Sequence, residues 1–214
     1  MDAMRQGLWI PMGDFRLEGE LDLPEGAPRL PGAVLGHPHP RYGGDMMNNV
    51  VQGLFEGLAE RGRPVLRFNF RGVGRSGGRL GDGEVEDMSA AVEVLAKAAG
   101  IASREVAIVG YSFGALIGSA CMAEDPAIGA YVAIAPPLAL ADLGALARCG
   151  RPVYLLCGDR DSDCPLARAE EFIERCRGPH GFAIVPGADH FLLGHEAAVA
   201  AQVDLFLTEA KLSG

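Results

Sequence analysis

What the chain lacks removes several classes of function. Its five cysteines, Cys121, Cys149, Cys157, Cys164 and Cys176, are odd in number and form no C-x-x-C pair, which argues against a disulfide framework and against a zinc knuckle. Reduced, mostly buried thiols are expected. There is no long run of one charge sign. The formal charge of −9 is scattered over 214 residues, leaving no basic stripe for nucleic acid and no polybasic or amphipathic membrane anchor. The opening stretch MDAMRQGLWIPMGDF is broken by Asp2, Arg5, Pro11 and Asp14 before an apolar segment of signal or spanning length accumulates, so a cytoplasmic location is expected. Repeats, low-complexity tracts and linkers are missing too. With 49% apolar and 22% charged residues, the chain is expected to fold as one domain over residues 1–214.

What is present is a rhythm. After an opening pair of predicted strands, Leu8 to Met12 and Phe15 to Leu23, short apolar runs alternate with longer amphipathic stretches. The runs beginning at Ala33, Val65, Val106, Ala130, Val153 and Phe182 read as strands buried on both faces. Helices are expected near residues 48–61, 84–99, 113–124, 138–148, 165–176 and 196–211. Such alternation predicts an α/β fold with a mainly parallel central sheet and helices on both faces. The connection between the runs at Ala130 and Val153 holds one short helix and no inserted cap domain. In open sheets of this kind, ligands gather outside the carboxyl ends of the strands, so chemistry is sought in the loops that follow the runs.

Three such loops carry a consistent set. After Val109 comes Gly110-Tyr111-Ser112-Phe113-Gly114, a G-x-S-x-G pattern. Among 30 glycines the pattern alone is weak, but here it lies between a predicted strand and helix, where a sharp turn with small neighbours projects a serine. A serine hydroxyl needs a base, and the base needs an orienting acid. After Leu156 the chain reads Cys157-Gly158-Asp159-Arg160-Asp161-Ser162-Asp163, and after Val185 it reads Pro186-Gly187-Ala188-Asp189-His190-Phe191. Ser112, Asp161 and His190 fall in the order nucleophile, acid, base. Asp159, Asp163 and Asp189 also lie near strand ends and compete for the acid role. His195, beside Gly194, suits the start of the last helix better than a base, and His180 reads as exposed loop. Gly72-Val73-Gly74-Arg75-Ser76-Gly77 matches G-x-G-x-x-G literally, yet the next helix starts several residues later, which makes it a glycine-rich loop rather than a dinucleotide site.

These elements, together with Gly36-His37-Pro38-His39-Pro40, Gly43-Gly44-Asp45-Met46, Asn48-Asn49-Val50-Val51 and Arg67-Phe68-Asn69-Phe70-Arg71-Gly72, give the chain its likeness. From about Phe15 to Phe206 it resembles an α/β-hydrolase fold serine hydrolase, in particular the small lidless bacterial hydrolases related to dienelactone hydrolases. True dienelactone hydrolases use a cysteine nucleophile where position 112 is serine, a departure that argues against dienelactone chemistry here. The family's acid loop, with glycine three residues before and proline four after, selects Asp161. The resemblance also assigns the loop after Leu35 to the oxyanion hole, beside the backbone N–H of Phe113. Pro38 and Pro40 have no N–H, so His39 is left as the second donor, and His37 becomes a structural imidazole rather than one of a metal pair.

The resemblance thus implies ester hydrolysis through an acyl-enzyme on Ser112, with a small-molecule ester as substrate, no cofactor, no metal, no nucleic acid and no membrane partner. A homodimer is left open. Tyr42, Met46, Met47, Leu138 and Phe191, with Leu192, are candidates for an apolar substrate pocket, although core packing competes for at least half of them. Arg41 and Arg71 face either a substrate carboxylate or solvent, and Cys164 has no assigned role. The alternatives are a peptidase or thioesterase with the same triad, a non-catalytic binding protein of the same fold, and a metalloenzyme using His37 and His39.

Overall fold

A computed structural model describes residues 4–28, 30–210 and 212. The ends of the expected domain, Asp2 in the opening stretch, and Lys211 at the close of the expected last helix, lie outside them. Eight strands form one sheet: β1 (Met4–Pro11), β2 (Arg16–Leu23), β3 (Gly32–Gly36), β4 (Val65–Phe68), β5 (Val106–Tyr111), β6 (Ala130–Ile134), β7 (Val153–Gly158) and β8 (His180–Val185). Their spatial order is β1-β2-β4-β3-β5-β6-β7-β8. β1 and β2 pair antiparallel, as do β2 and β4, and every pair from β4 to β8 is parallel. The helices are α1 (Asn49–Glu60), α2 (Glu84–Ala99), α3 (Phe113–Glu124), α4 (Gly144–Ala147), α5 (Leu166–Arg175) and α6 (Glu196–Glu209).

Alternation along the strands builds two cores. In β3 and β5, Val34, Val106 and Ile108 point to the face covered by α2 and α3, where they meet Met88, Val92, Leu95 and Ala115. Ala33, Leu35, Ala107, Val109 and Tyr111 point to the other face, against Val51, Leu54 and Phe55 of α1 and Val199 and Val203 of α6. One buried cation ties that second layer down. Arg63 is fully buried and donates to Asp204 Oδ1 at 2.6 Å, to Thr208 Oγ1 at 2.7 Å and to the Asp204 carbonyl at 3.0 Å, so α6 is fastened to the turn before β4.

Three sequence expectations are corrected. The apolar spacing over 138–148 yields only the four-residue α4, because Ala139 N–H donates to Asp163 O at 3.0 Å and the N–H groups of Leu140 and Ala141 turn back onto Pro137 O. Leu138, Leu143 and Leu146 are buried all the same, which is what the spacing recorded. β8 is an edge strand, half-exposed for most of its length, and not buried on both faces. β4 stops at Phe68, since Asn69 N–H bonds Glu18 O and Phe70 N–H bonds the His37 ring.

The order reverses at β3: the chain passes to β4 on one side and returns to β5 on the other, so the crevice beyond the carboxyl ends of β3 and β5 is the switch point of the sheet. Here the backbones approach closely. A Cβ on Gly114 would lie 2.3 Å from Gly36 O, and one on Gly110 would lie 2.3 Å from Gly114 O. Both obstacles are main chain and cannot rotate away. Gly114→Ala is therefore expected to destabilise the fold by about 1–3 kcal/mol, read as a lower urea midpoint at unchanged slope, through displacement of the β3 end.

Candidate active site

Ser112 stands between β5 and α3 with φ 54° and ψ −112°, a left-handed position that costs a non-glycine residue about 1–3 kcal/mol and persists only where its surroundings enforce it. The enforcement is visible. Ser112 N–H donates to Ile134 O at 2.9 Å, its carbonyl accepts Ala115 N–H at 3.0 Å, and the flanking glycines allow the turn to sit against β3. Ser112 Oγ then lies 3.0 Å from His190 Nε2.

His190 is delivered by the loop after β8. That loop meets the loop after β7 at Gly158, where an added Cβ would lie 2.1 Å from Ala188 O, and Arg160 N–H bonds the same carbonyl at 3.0 Å. The contact brings acid and base together. Asp161 Oδ2 and Oδ1 lie 3.0 and 3.1 Å from His190 Nδ1. Because an ionised carboxylate only accepts, Nδ1 carries the proton and Nε2 presents its lone pair to the Ser112 hydroxyl. Asp161 is itself fixed by the N–H groups of Asp163 at 2.9 Å and Cys164 at 3.1 Å, both on Oδ1. Burial pushes the His190 pKa down, but the hydrogen bond and charge of Asp161, helped by Asp163 and Asp189, push it up by more, and the net direction is up.

Two of the other candidate acids, Asp159 and Asp189, are engaged elsewhere, whereas Asp163 Oδ2 lies 3.9 Å from His190 Nδ1. Asp159 Oδ1 accepts Gly187 N–H at 2.8 Å and Asp189 Oδ1 accepts Phe191 N–H at 3.0 Å. His195 caps the start of α6, and His180 is exposed at the start of β8. The glycine-rich loop after β4 carries positive φ at Gly72 and Gly74 and is tied to β2 through Ser76 Oγ, which accepts Glu18 N–H and donates to Asn69 O.

The loop after β3 faces the serine. His37 is fully buried, with Nδ1 2.7 Å from Pro38 O and Nε2 accepting Phe70 N–H at 3.1 Å. Both ring nitrogens are spent on backbone, which leaves none for a metal, and burial holds its pKa down at about 4. The His39 ring lies 4.8 Å from that of Phe113, and its Nδ1 accepts Arg41 N–H at 3.1 Å. Among the described residues, neither His39 N–H nor Phe113 N–H has a protein acceptor. Phe113 N–H follows Ser112 directly and opens the twelve-residue helix α3, where the helix dipole favours negative charge.

The side chains offered as a pocket divide. Tyr42, Met47 and Phe191 are exposed, the Phe191 ring lying 6.1 Å from that of His190. Met46 and Leu138 are buried; Met46 N–H bonds Asn69 Oδ1, and Leu138 borders a cleft of about 340 Å³ against α5 that includes none of Ser112, Asp161 and His190. Leu192, the other apolar neighbour, is fully buried. Arg71 is no substrate ligand: it is buried and forked onto Asp87, with Nη2 to Oδ1 at 2.7 Å and Nε to both oxygens. Arg41 is exposed. Cys164 contributes its backbone N–H to Asp161, and its thiol, beside Cys157 and buried, has its pKa driven far up. One positioning residue gave no signal in the sequence. Tyr111, at the variable place of the serine turn, donates its hydroxyl to His190 O at 2.8 Å from beneath.

Among the described residues, the one group of metal-type ligand atoms lying within 4.8 Å of one another is Asp161, Asp163 and His190, the acid and base of this same site. Among the described residues, no helix is long and apolar enough to cross a membrane.

Comparison with known proteins agrees with this fold. An uncharacterized protein of Rickettsia prowazekii (strain Madrid E) is 37% identical over 175 residues, 77% of this chain and 73% of that protein. The structure of an alpha-beta serine hydrolase homologue from Coxiella burnetii superposes with a TM-score of 0.81 at 29% identity, covering 95% of this chain and 96% of the other. A protein from Xanthomonas campestris, described as an a/b serine hydrolase without lid, superposes with a TM-score of 0.75 at 27% identity, covering 98% and 94%. The model of the alpha/beta hydrolase fold family matches residues 42–155, from the loop after β3 through the serine turn to β7. On the fold, the switch-point crevice and these matches, the chain belongs to the alpha/beta hydrolase fold family and is a hydrolase.

Proposed function

We propose that the protein is a serine hydrolase that cleaves small carboxylic esters through an acyl-enzyme on Ser112. The observation that carries this reading is the line Ser112 Oγ, His190 Nε2, His190 Nδ1, Asp161 carboxylate, at 3.0 Å on both sides of the imidazole. Ser112 attacks the ester carbonyl as His190 takes its proton, and the carbonyl oxygen gathers negative charge between His39 N–H and Phe113 N–H. His190 returns the proton to the departing alkoxide. Water then enters by the same route, with His190 as base, and releases the acid. Asp161 holds the imidazole in the tautomer that can accept and stabilises its cation.

The substrate class follows from what covers the site. Between β6 and β7 there is only the four-residue α4, and the apolar side chains beside His190 are exposed ones such as Phe191. An open rim of this kind gains little from a long acyl tail, because most of the tail stays in water. The Xanthomonas campestris relative, described as lacking a lid, is consistent with this.

Two measurements test the reading. A fluorophosphonate is expected to label wild type and not Ser112→Ala, whose kcat/KM on p-nitrophenyl butyrate should fall by about 10⁴-fold or more; a variant that kept its activity would refute the assignment. In the same series the butyrate is expected to exceed the palmitate in kcat/KM, and the reverse order would exclude the open-site reading.

The pH dependence has a definite sign. His190 works as a base only when neutral, and its pKa is raised in the folded protein. Activity is therefore expected to fall as pH drops, with the acidic limb of kcat/KM centred above the 6.5 of an ordinary histidine. A limb centred below that value would show that burial outweighs Asp161.

A further inference from the structure

Four aspartates lie on the two loops that carry the acid and the base, and the carboxylates of three accept backbone N–H groups. Asp161 accepts from Asp163 and Cys164, Asp159 from Gly187, and Asp189 from Phe191. Asp163 differs. Its backbone is pinned, N–H to Asp161 Oδ1 at 2.9 Å and C=O from Ala139 N–H at 3.0 Å, yet its carboxylate accepts no hydrogen bond among the described residues. That carboxylate is aimed at the imidazole, with Oδ2 3.9 Å from His190 Nδ1. Capping of α5 does not account for it, since no side chain caps that helix.

We propose that Asp163 is a second carboxylate on the His190 imidazole: a positioning residue that stabilises the imidazolium through space and takes over Nδ1 when Asp161 is lost. The proposal rests on the acyl-transfer reading above. Its geometry is simple. A separation of 3.9 Å is too long for a hydrogen bond and short enough for attraction between charges, and closing it requires a side-chain shift of only about 1 Å. The side chain is 54% exposed, so it is free to move and its field is reduced by salt. The groups facing the ring are Asp161 and Asp163 from the loop after β7, Asp189 from its own loop, and Ser112 and Tyr111 from β5 and the turn beyond it. Removing the charge of Asp163 leaves Asp161 and Asp189 in place and makes the imidazole easier to deprotonate.

The test uses the full chain, with NMR titration of the His190 ring and the pH dependence of kcat/KM on p-nitrophenyl butyrate. In Asp163→Asn, the His190 titration and the acidic limb are expected to move together to lower pH, and Asp163→Glu is expected to restore most of the difference. Asp161→Ala should retain at least about tenfold more kcat/KM than the Asp161→Ala/Asp163→Asn double variant, a coupling that independent sites would not show. An Asp163→Asn titration equal to wild type, or equal activity of the single and double variants, overturns the proposal. If Asp161→Ala does not fold, having lost the acceptor for two backbone N–H groups, the Asp163→Asn titration decides alone. Loss of the underlying reading is recognised separately: Ser112→Ala would keep wild-type activity, while the ring titration still reports whether Asp163 acts on His190.

Discussion

The first turn of α3 lies against the end of β3 with no room for a side chain between them. Gly114 faces the carbonyls of Gly36 and His37, and Gly110 faces the Gly114 carbonyl, so three main-chain segments meet where the sheet changes direction. The serine turn is placed relative to this contact. It sets Ser112 at its left-handed φ, orients α3 so that Phe113 N–H points out of the helix end, and brings the loop after β3 alongside. A side-chain contact would leave rotamer freedom there, and backbone packed on backbone leaves none.

Opposed forces govern His190. Withdrawal from water favours the neutral ring, and a buried carboxylate held by two backbone N–H groups favours the charged one. The second wins, with the charges of Asp163 and Asp189 adding to that of Asp161. Tyr111 fixes the main chain of His190 from below, so the ring is constrained at its backbone and at both nitrogens. Precision at the base thus comes from three separate strand ends, β5, β7 and β8, and from no single loop.

Much of this was legible in the sequence, and the exceptions have physical causes. Buried parallel strands announce themselves as apolar runs because both faces are covered, and β3, β5, β6 and β7 follow that rule. β8 does not, since an edge strand shares its run of apolar letters without sharing the burial. The spacing that reads as a helix over 138–148 is a record of which residues are buried, and burial without helical hydrogen bonds produces the same pattern. Residues whose work is done by main chain, such as Gly114 and Pro38, are readable because few residue types fit. Tyr111 and Asp163 act through distance and direction, which spacing along the chain does not encode. Met46 and Leu138 were candidates for a pocket by proximity in sequence to the right loops, but their side chains turn inward.

His37 shows how the proposed reaction coexists with an exposed site. Its ring holds the loop after β3 to the start of the loop after β4 only in the neutral state, because Nε2 must accept from Phe70 N–H. A proton on Nε2 would set two donors against each other inside the core. Burial prevents this by lowering the His37 pKa to about 4, while Asp161 raises that of His190. The two histidines therefore titrate on opposite sides of the ordinary value, and the scaffold outlasts the base as pH falls. On the proposed reading, acid removes the base first, with the loop after β3 still held in position by the neutral His37 ring.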